Sequence, residues 1–250
     1  MAGLRRRGLV AAIVALAVLV GGGLLLLRPG GAEAPTLSRP TGLSRAICFL
    51  GQGTAQEVRI PAGSGEPLVG ALLGEGRVGV VLAHQSGADM CQWADYAHVL
   101  VAHGYRVLAF DFGVPADDES VVYAAQALKA LGAQRIVLMG ASRGGTAVLA
   151  AAGKVAVDGV IALSAPAEYN GSDALHGVET SKAPLLIAAG ELDSEFAIDA
   201  VTLSRQAKAT EKQLIVKKGS GEHGVLLLEL GGHSVVDDAV WKLLARVAKG

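Results

Sequence analysis

Gly140-Ala141-Ser142-Arg143-Gly144-Gly145 is the stretch of this sequence best suited to chemistry. A serine hydroxyl alone is a weak nucleophile and needs an adjacent base. A sharp strand-to-helix turn, the nucleophile elbow with spacing G-x-S-x-G, can lift such a serine clear of the backbone. It also points the first N–H groups of the helix at the seryl oxygen, where negative charge is favoured. Glycine at 140 and 144 relieves the crowding of so tight a turn. The flanks agree, with an apolar run at 135–139 for the strand and Ala147, Val148, Leu149, Ala150, Ala151 and Ala152 for a closely packed helix.

A serine so placed needs a base and an acid at other strand ends. After an apolar run at 184–188 comes Gly190-Glu191-Leu192-Asp193, and after a run at 213–216 comes Gly219-Ser220-Gly221-Glu222-His223-Gly224. His223 is the candidate base and Asp193 the acid that would orient it. Glu191 competes for the acid's place, and His233 and His176 for the base's. His84 reads as a structural loop histidine.

These loops belong to a regular alternation. Strands are expected at 56–60 and 67–73, joined as a hairpin, and then at 78–83, 106–110, 135–139, 159–163, 183–188 and 213–216. Helical stretches separate them, at about 91–101, 117–131, 143–152, 194–209 and 225–248, the last interrupted by Gly231-Gly232. Three carboxylates, Asp117, Asp118 and Glu119, suit the first turn of the second helix, where the macrodipole favours negative charge. Short apolar strands alternating with helices imply an α/β fold, a mostly parallel, doubly wound sheet with helices on both faces. Ligands in such sheets lie beyond the carboxyl ends of the strands.

The chain order Ser142, Asp193, His223 is that of the α/β-hydrolases. From about residue 54 to 248 the sequence resembles that family, in its compact form related to dienelactone hydrolases and small serine esterases. The matching pieces are Leu82-Ala83-His84-Gln85-Ser86-Gly87, the elbow, Gly190-Glu191-Leu192-Asp193 and Gly221-Glu222-His223-Gly224. The resemblance implies a Ser142–His223–Asp193 triad, an acyl-enzyme, and an oxyanion hole from the backbone N–H of Arg143 with that of Ser86 or Gln85. The family pattern is His-Gly where this chain has His84-Gln85, so a side chain stands at a position normally bare. Only twenty residues, 164–183, separate two strands between which larger relatives insert a cap, so a short flap around Tyr169-Asn170-Gly171 is expected over an open site. The implied activity is hydrolysis of a small-molecule ester. A peptidase or thioesterase on the same scaffold, or a non-catalytic binding protein that keeps the fold, are the alternatives.

The remainder of the sequence bounds the setting. It has 250 residues, 51% of them hydrophobic, and a net charge of −1. An uncharged stretch of 19 residues, 9–27, follows Arg5-Arg6-Arg7 and precedes Arg28. That length can cross a bilayer, and the arginines predict the N-terminus inside and the domain outside. Ala32-Glu33-Ala34 also fits a signal-peptide cleavage site. The expected organisation is a signal anchor or signal peptide at 1–28, a Pro/Gly-rich linker at 29–46 and a hydrolase-like domain at 47–250. Either reading exports the domain, held at the cell membrane through 9–27 or secreted. Without residues 1–34 the chain has 18 basic and 22 acidic side chains, net −4, and so no basic footprint for nucleic acid. Two cysteines, Cys48 and Cys91, allow one pairing, expected as a disulfide in an oxidising compartment, with two free thiols as the alternative. The spacing holds neither C-x-x-C nor H-E-x-x-H, so no metal is expected, and the triad chemistry calls for no cofactor. Gly140-Ala141-Ser142-Arg143-Gly144-Gly145 is not G-x-G-x-x-G and no phosphate-binding lysine follows it, which excludes a dinucleotide fingerprint.

Overall fold

Among the described residues nine strands hydrogen-bond into one sheet whose central members run parallel. A computed structural model of the chain describes residues 33–250 apart from 43, 53–54, 64 and 230–233. The expected signal or anchor segment, 1–28, lies outside the described residues, as does His233. Among the described residues no helix is long and apolar enough to cross a membrane.

In chain order the elements are β1 (Thr36–Ser38), a 3-10 helix at Arg45–Gln52, β2 (Gln56–Ile60), β3 (Leu68–Leu73) and β4 (Val78–Ala83). A 3-10 turn at Met90–Trp93 leads into α1 (Ala94–Ala102), followed by β5 (Arg106–Phe110), α2 (Asp117–Ala130), β6 (Arg135–Ala141), α3 (Arg143–Ala152) and β7 (Gly159–Leu163). A two-residue hairpin, β8 (Glu168–Tyr169) and β9 (Ser172–Asp173), precedes α4 (Ala174–Thr180). β10 (Leu185–Gly190), α5 (Ser194–Gln206), β11 (Lys212–Lys217), a 3-10 turn at Gly224–Leu227 and α6 (Val235–Lys249) complete the chain.

The strand order is β1-β2-β3-β5-β4-β6-β7-β10-β11. β4 and β10 are buried at every position, as strands covered on both faces must be, and this is why they read as unbroken apolar runs. One apolar layer packs α2, α3 and part of α5 on the sheet through Leu128, Leu149 and Leu203. The other packs α1 and α6 through Leu100, Val240 and Leu244. Chain direction reverses its lateral progress at β4, between β5 and β6, the crevice where open α/β sheets bind ligands.

Three features depart from the sequence pattern. Residues 36–38, inside the expected linker, pair antiparallel with β2 and extend the sheet by a strand, and Glu33–Gly250 forms one compact unit. All three residues of β1 are exposed, so no hydrophobic alternation marks it. Residues 164–183 contain the β8–β9 hairpin and α4, which is seven residues long and packs tightly on α3 at Gly177. The carboxylates of α2 do more than face a helix dipole. Asp117 and Asp118 are buried and paired with Arg143 and Lys154, while Glu119 alone is exposed.

Cys48 and Cys91 form a disulfide that joins the first 3-10 helix to the segment entering α1. It closes a sequence separation of 43 residues, worth about 4 kcal/mol in chain entropy. Replacing both cysteines with serine is therefore expected to lower the unfolding free energy by about 3–4 kcal/mol in urea titrations. Equal stability of the two proteins would show that the bridge closes no entropically costly loop.

Candidate active site

The register of the parallel strands builds the site. Ala83 of β4 lies opposite Gly140 of β6 and Phe110 of β5, and Ala141 lies opposite Leu163. Strand ends therefore line up, and His84, Asp111, Ser142 and Ser164 emerge side by side along one edge of the sheet.

Ser142 sits between β6 and α3 with φ 51° and ψ −119°, a conformation L-residues seldom adopt. Neighbours hold it there. Its N–H donates to Leu163 O (2.8 Å), and its carbonyl accepts the N–H of Thr146 (3.0 Å). A Cβ at Gly140 would overlap the carbonyl of Gly144, and one at Gly144 would overlap the carbonyl of Ala83 on β4. Glycine at both positions is thus a steric requirement of the elbow. Packing of α3 then follows: Gly145, Ala147, Ala150 and Ala151 are buried, and their small size lets the helix lie close on the sheet.

His223 and Asp193 come together from different loops. The His223 Nδ1–H donates to Asp193 Oδ2 at 2.9 Å, which leaves Nε2 with a free lone pair. Phe196 of α5 packs edge-on against the imidazole at 4.4 Å between centroids. Glu191, the rival acid, is engaged elsewhere, accepting the N–H of Gly219 at 2.7 Å. Of the rival bases, His176 is exposed on α4. Lys217 bridges Glu222 and Glu229 at 2.7 and 2.8 Å and so ties down both ends of the histidine's loop. Lys217, with help from Ser220, holds the Glu222 carboxyl below the usual carboxylate range.

The loop carrying His223 is latched to the serine's surroundings. Gly224, the next residue, lies against Ala141 and donates its N–H to Ser164 Oγ at 3.0 Å. Val225 N–H donates to Gln85 Oε1 at 2.9 Å. This explains the side chain at position 85: it reaches across from the β4 loop to hold the backbone two residues past the histidine. Neither latch was legible in the sequence, since both run between side chains and backbone 60 and 140 residues apart.

The expected oxyanion donors are separated by their partners. Gln85 N–H donates to Gln92 Oε1 at 3.0 Å. The N–H of Ser86 has no acceptor among the described residues. Arg143 opens α3, where backbone N–H groups have no helical partner. Its side chain is held away by two hydrogen bonds to Asp117 (2.8 and 2.6 Å) and lies 4.3 Å from the centre of the Phe112 ring. Asp117, buried, keeps the Arg143 guanidinium above its ordinary range.

The short flap is present and pinned. Tyr169 Oη and Ser86 Oγ share a hydrogen bond of 2.8 Å, and Asn170 Nδ2 donates to Asp117 Oδ1 at 3.3 Å. The flap thus touches the same loop that carries the free Ser86 N–H. Among the described residues no group of three or more His, Cys, Asp or Glu could hold a metal ion.

No family model matches this sequence, and no curated protein matches it. Solved structures do. A dienelactone hydrolase from Anabaena variabilis superposes with a TM-score of 0.61 at 22% identity, over 77% of this chain and 96% of its own. An esterase from Pyrococcus furiosus gives 0.64 at 18%, over 77% and 90%. The chain has the α/β-hydrolase fold. A third likeness to that fold, a member of the α/β serine hydrolases without lid from Xanthomonas campestris, gives 0.55 at 18% over 69% of this chain and 87% of its own. The α/β-hydrolase fold accounts for the strand order and for the edge on which Ser142, Asp193 and His223 sit.

Two outcomes test the supports of the site. Gln85→Ala removes the acceptor of Val225 N–H, so amide exchange at Val225 is expected to quicken, with a stability loss of about 1 kcal/mol. Unchanged exchange there would remove Gln85 from the latch. His84 is buried, its Nδ1–H bonding Gln85 O at 2.7 Å, and burial lowers its pKa. Protonation therefore opposes the fold. Its penalty is absent above the unfolded value of about 6.5 and grows as pH falls through it toward the folded value. The stability gap between the native chain and His84→Gln is expected to narrow from pH 7.5 to pH 5, measured by urea titration at both.

Proposed function

We propose that this chain is a serine hydrolase that cleaves carboxylic esters through Ser142, His223 and Asp193, in an exported or membrane-held setting. The observation that carries the reading is the pairing of two rare local geometries. One is a serine held at positive φ on a glycine-bounded elbow. The other is an Asp193-bonded imidazole whose loop is latched by Ser164 and Gln85, at the ends of the strands flanking that serine's. Hydrolase and esterase activities named for the structurally similar proteins support it.

In this reading the neutral His223 Nε2 takes the Ser142 proton as Oγ attacks the ester carbonyl. Asp193 fixes the tautomer and stabilises the imidazolium. The N–H groups of Arg143 and Ser86 receive the oxyanion, each worth about 10²–10³ in kcat. His223 then protonates the leaving alcohol, and water repeats the cycle on the acyl-enzyme. The fixed Arg143 side chain, clamped to Asp117, keeps the amide beside it in place without projecting charge over the serine.

A second reading, a non-catalytic protein on the same scaffold, is favoured by one observation: among the described residues Ser142 Oγ makes no hydrogen bond. Labelling decides between them. A fluorophosphonate probe is expected to modify the purified chain at Ser142, and Ser142→Ala to abolish labelling and lower nitrophenyl ester turnover about 10⁶-fold. Asp193→Asn is expected to cost about 10⁴-fold. Folded protein that takes no label supports the non-catalytic reading, and amide or thioester analogues turned over faster than esters would reassign the acyl bond.

A further inference from the structure

Among the described residues three other than glycine have positive φ: Ser142 (51°), Ser164 (46°) and Asn170 (48°). Asn170 is explained by its turn. It precedes Gly171, also at positive φ, in the two-residue connection of the β8–β9 hairpin, where Asn-Gly is favoured. The other two are serines at the ends of neighbouring strands. Ala141 pairs with Leu163 across β6 and β7, so Ser142 and Ser164 leave the sheet side by side. Ser142 is held by its elbow, whereas Ser164 opens no helix. Left-handed backbone is costly for a residue with a Cβ, and this chain meets it with glycine at eight described positions. Glycine would relieve the backbone at 164, so what a serine adds there is its hydroxyl.

Neighbours on two elements hold that turn. Ser164 N–H donates to Ala188 O of β10 at 2.7 Å. Ala165 then presses on α3, where a Cβ at Gly145 would lie 2.8 Å from its own. The Pro166 carbonyl accepts the Thr146 hydroxyl at 2.7 Å. Strain so over-determined is characteristic of functional sites. The Ser164 side chain is wholly buried, and its oxygen accepts Gly224 N–H at 3.0 Å. One residue earlier, the Leu163 carbonyl accepts Ser142 N–H at 2.8 Å. Adjacent residues at the end of β7 thus hold the backbone of Ser142 and the backbone next to His223. Thr146 extends the bridge to α3, since its N–H donates to Ser142 O at 3.0 Å while its hydroxyl binds Pro166. Gln85 holds the same loop from β4, one residue further along.

We infer that Ser164 is a positioning residue for the Ser142–His223 pair, its strained backbone aiming a hydroxyl that fixes the place of the base relative to the nucleophile. The catalytic consequence rests on the hydrolase reading above; the placement of His223 rests on the hydrogen bonds alone. A hydroxyl oxygen suits the position. It accepts the Gly224 N–H without adding a charge that would compete with Asp193 for an imidazolium. Its reach is set by one side-chain torsion, so a fixed backbone gives a fixed acceptor. Proton transfer between Ser142 and His223 needs the two within about 3 Å, and a displacement of about 1 Å can cost a hundredfold in rate.

Two variants of the full chain separate the hydroxyl from the strain. Ser164→Ala loses the hydroxyl and keeps the strain, and Ser164→Gly loses both. In urea titrations the glycine variant is expected to be no less stable than the alanine variant, since glycine takes a φ of 46° without steric cost. Activity is expected not to follow stability. Both variants are expected to hydrolyse nitrophenyl acetate with kcat lowered about tenfold to a hundredfold and KM within about twofold of the native value. In proton NMR spectra the His223 Nδ1–H resonance, assigned by its loss in His223→Gln, is expected to shift or broaden in both. A glycine variant with native kcat, or a resonance unchanged in both variants, overturns the inference. If the native chain cleaves no ester, the hydrolase reading fails while the resonance still decides the role of Ser164 in placing His223.

Discussion

The close approach of Gly144 to the Ala83 carbonyl constrains the whole of the site. It lets the first turn of α3 settle directly beside the end of β4, and so places two helix-opening N–H groups and the β4 loop around the same small volume. A methyl group at 144 would push the helix off the strand, separating Arg143 from Ser86. The strained backbone of Ser142 is a consequence of that contact. A chain that must turn from strand to helix within one residue, with the helix already seated, has nowhere else in φ/ψ space to go.

Around that contact the structure uses polar links to fix separate loops against each other. Gln85 reaches the backbone of Val225, Ser164 reaches that of Gly224, and Lys217 binds Glu222 and Glu229. Each link joins a group on the sheet edge to the segment carrying His223. The imidazole is thereby positioned mainly through its backbone, and Asp193 and Phe196 need only set its rotation. This division fixes the place of the ring and leaves its rotation to two side chains.

Much of the fold was legible because buried parallel strands leave an unmistakable trace: β4 and β10 read as apolar runs since both their faces are covered. The elbow was legible because its glycines answer steric demands within five residues of sequence. β1 left no trace, since an exposed three-residue strand needs no apolar side chain. The paired roles of Asp117 and Asp118 were hidden for a different reason. A carboxylate in the first turn of a helix looks the same whether it faces water or a buried arginine, and only the placement of α3 against α2 distinguishes them. Gln85 announced itself as a departure from the family pattern, while its partner 140 residues away did not.

β1 has one more effect, on how copies of this chain meet. A sheet ends in rows of unpaired N–H and C=O groups that invite another strand. Here one end is finished by three residues bracketed by Pro35 and Pro40, and the other by β11, whose first and last residues are Lys212 and Lys217. Proline offers no N–H, a three-residue strand offers little length, and the exposed Lys212 repels a second copy of itself. Both ends of the sheet are therefore poor templates for edge-to-edge association.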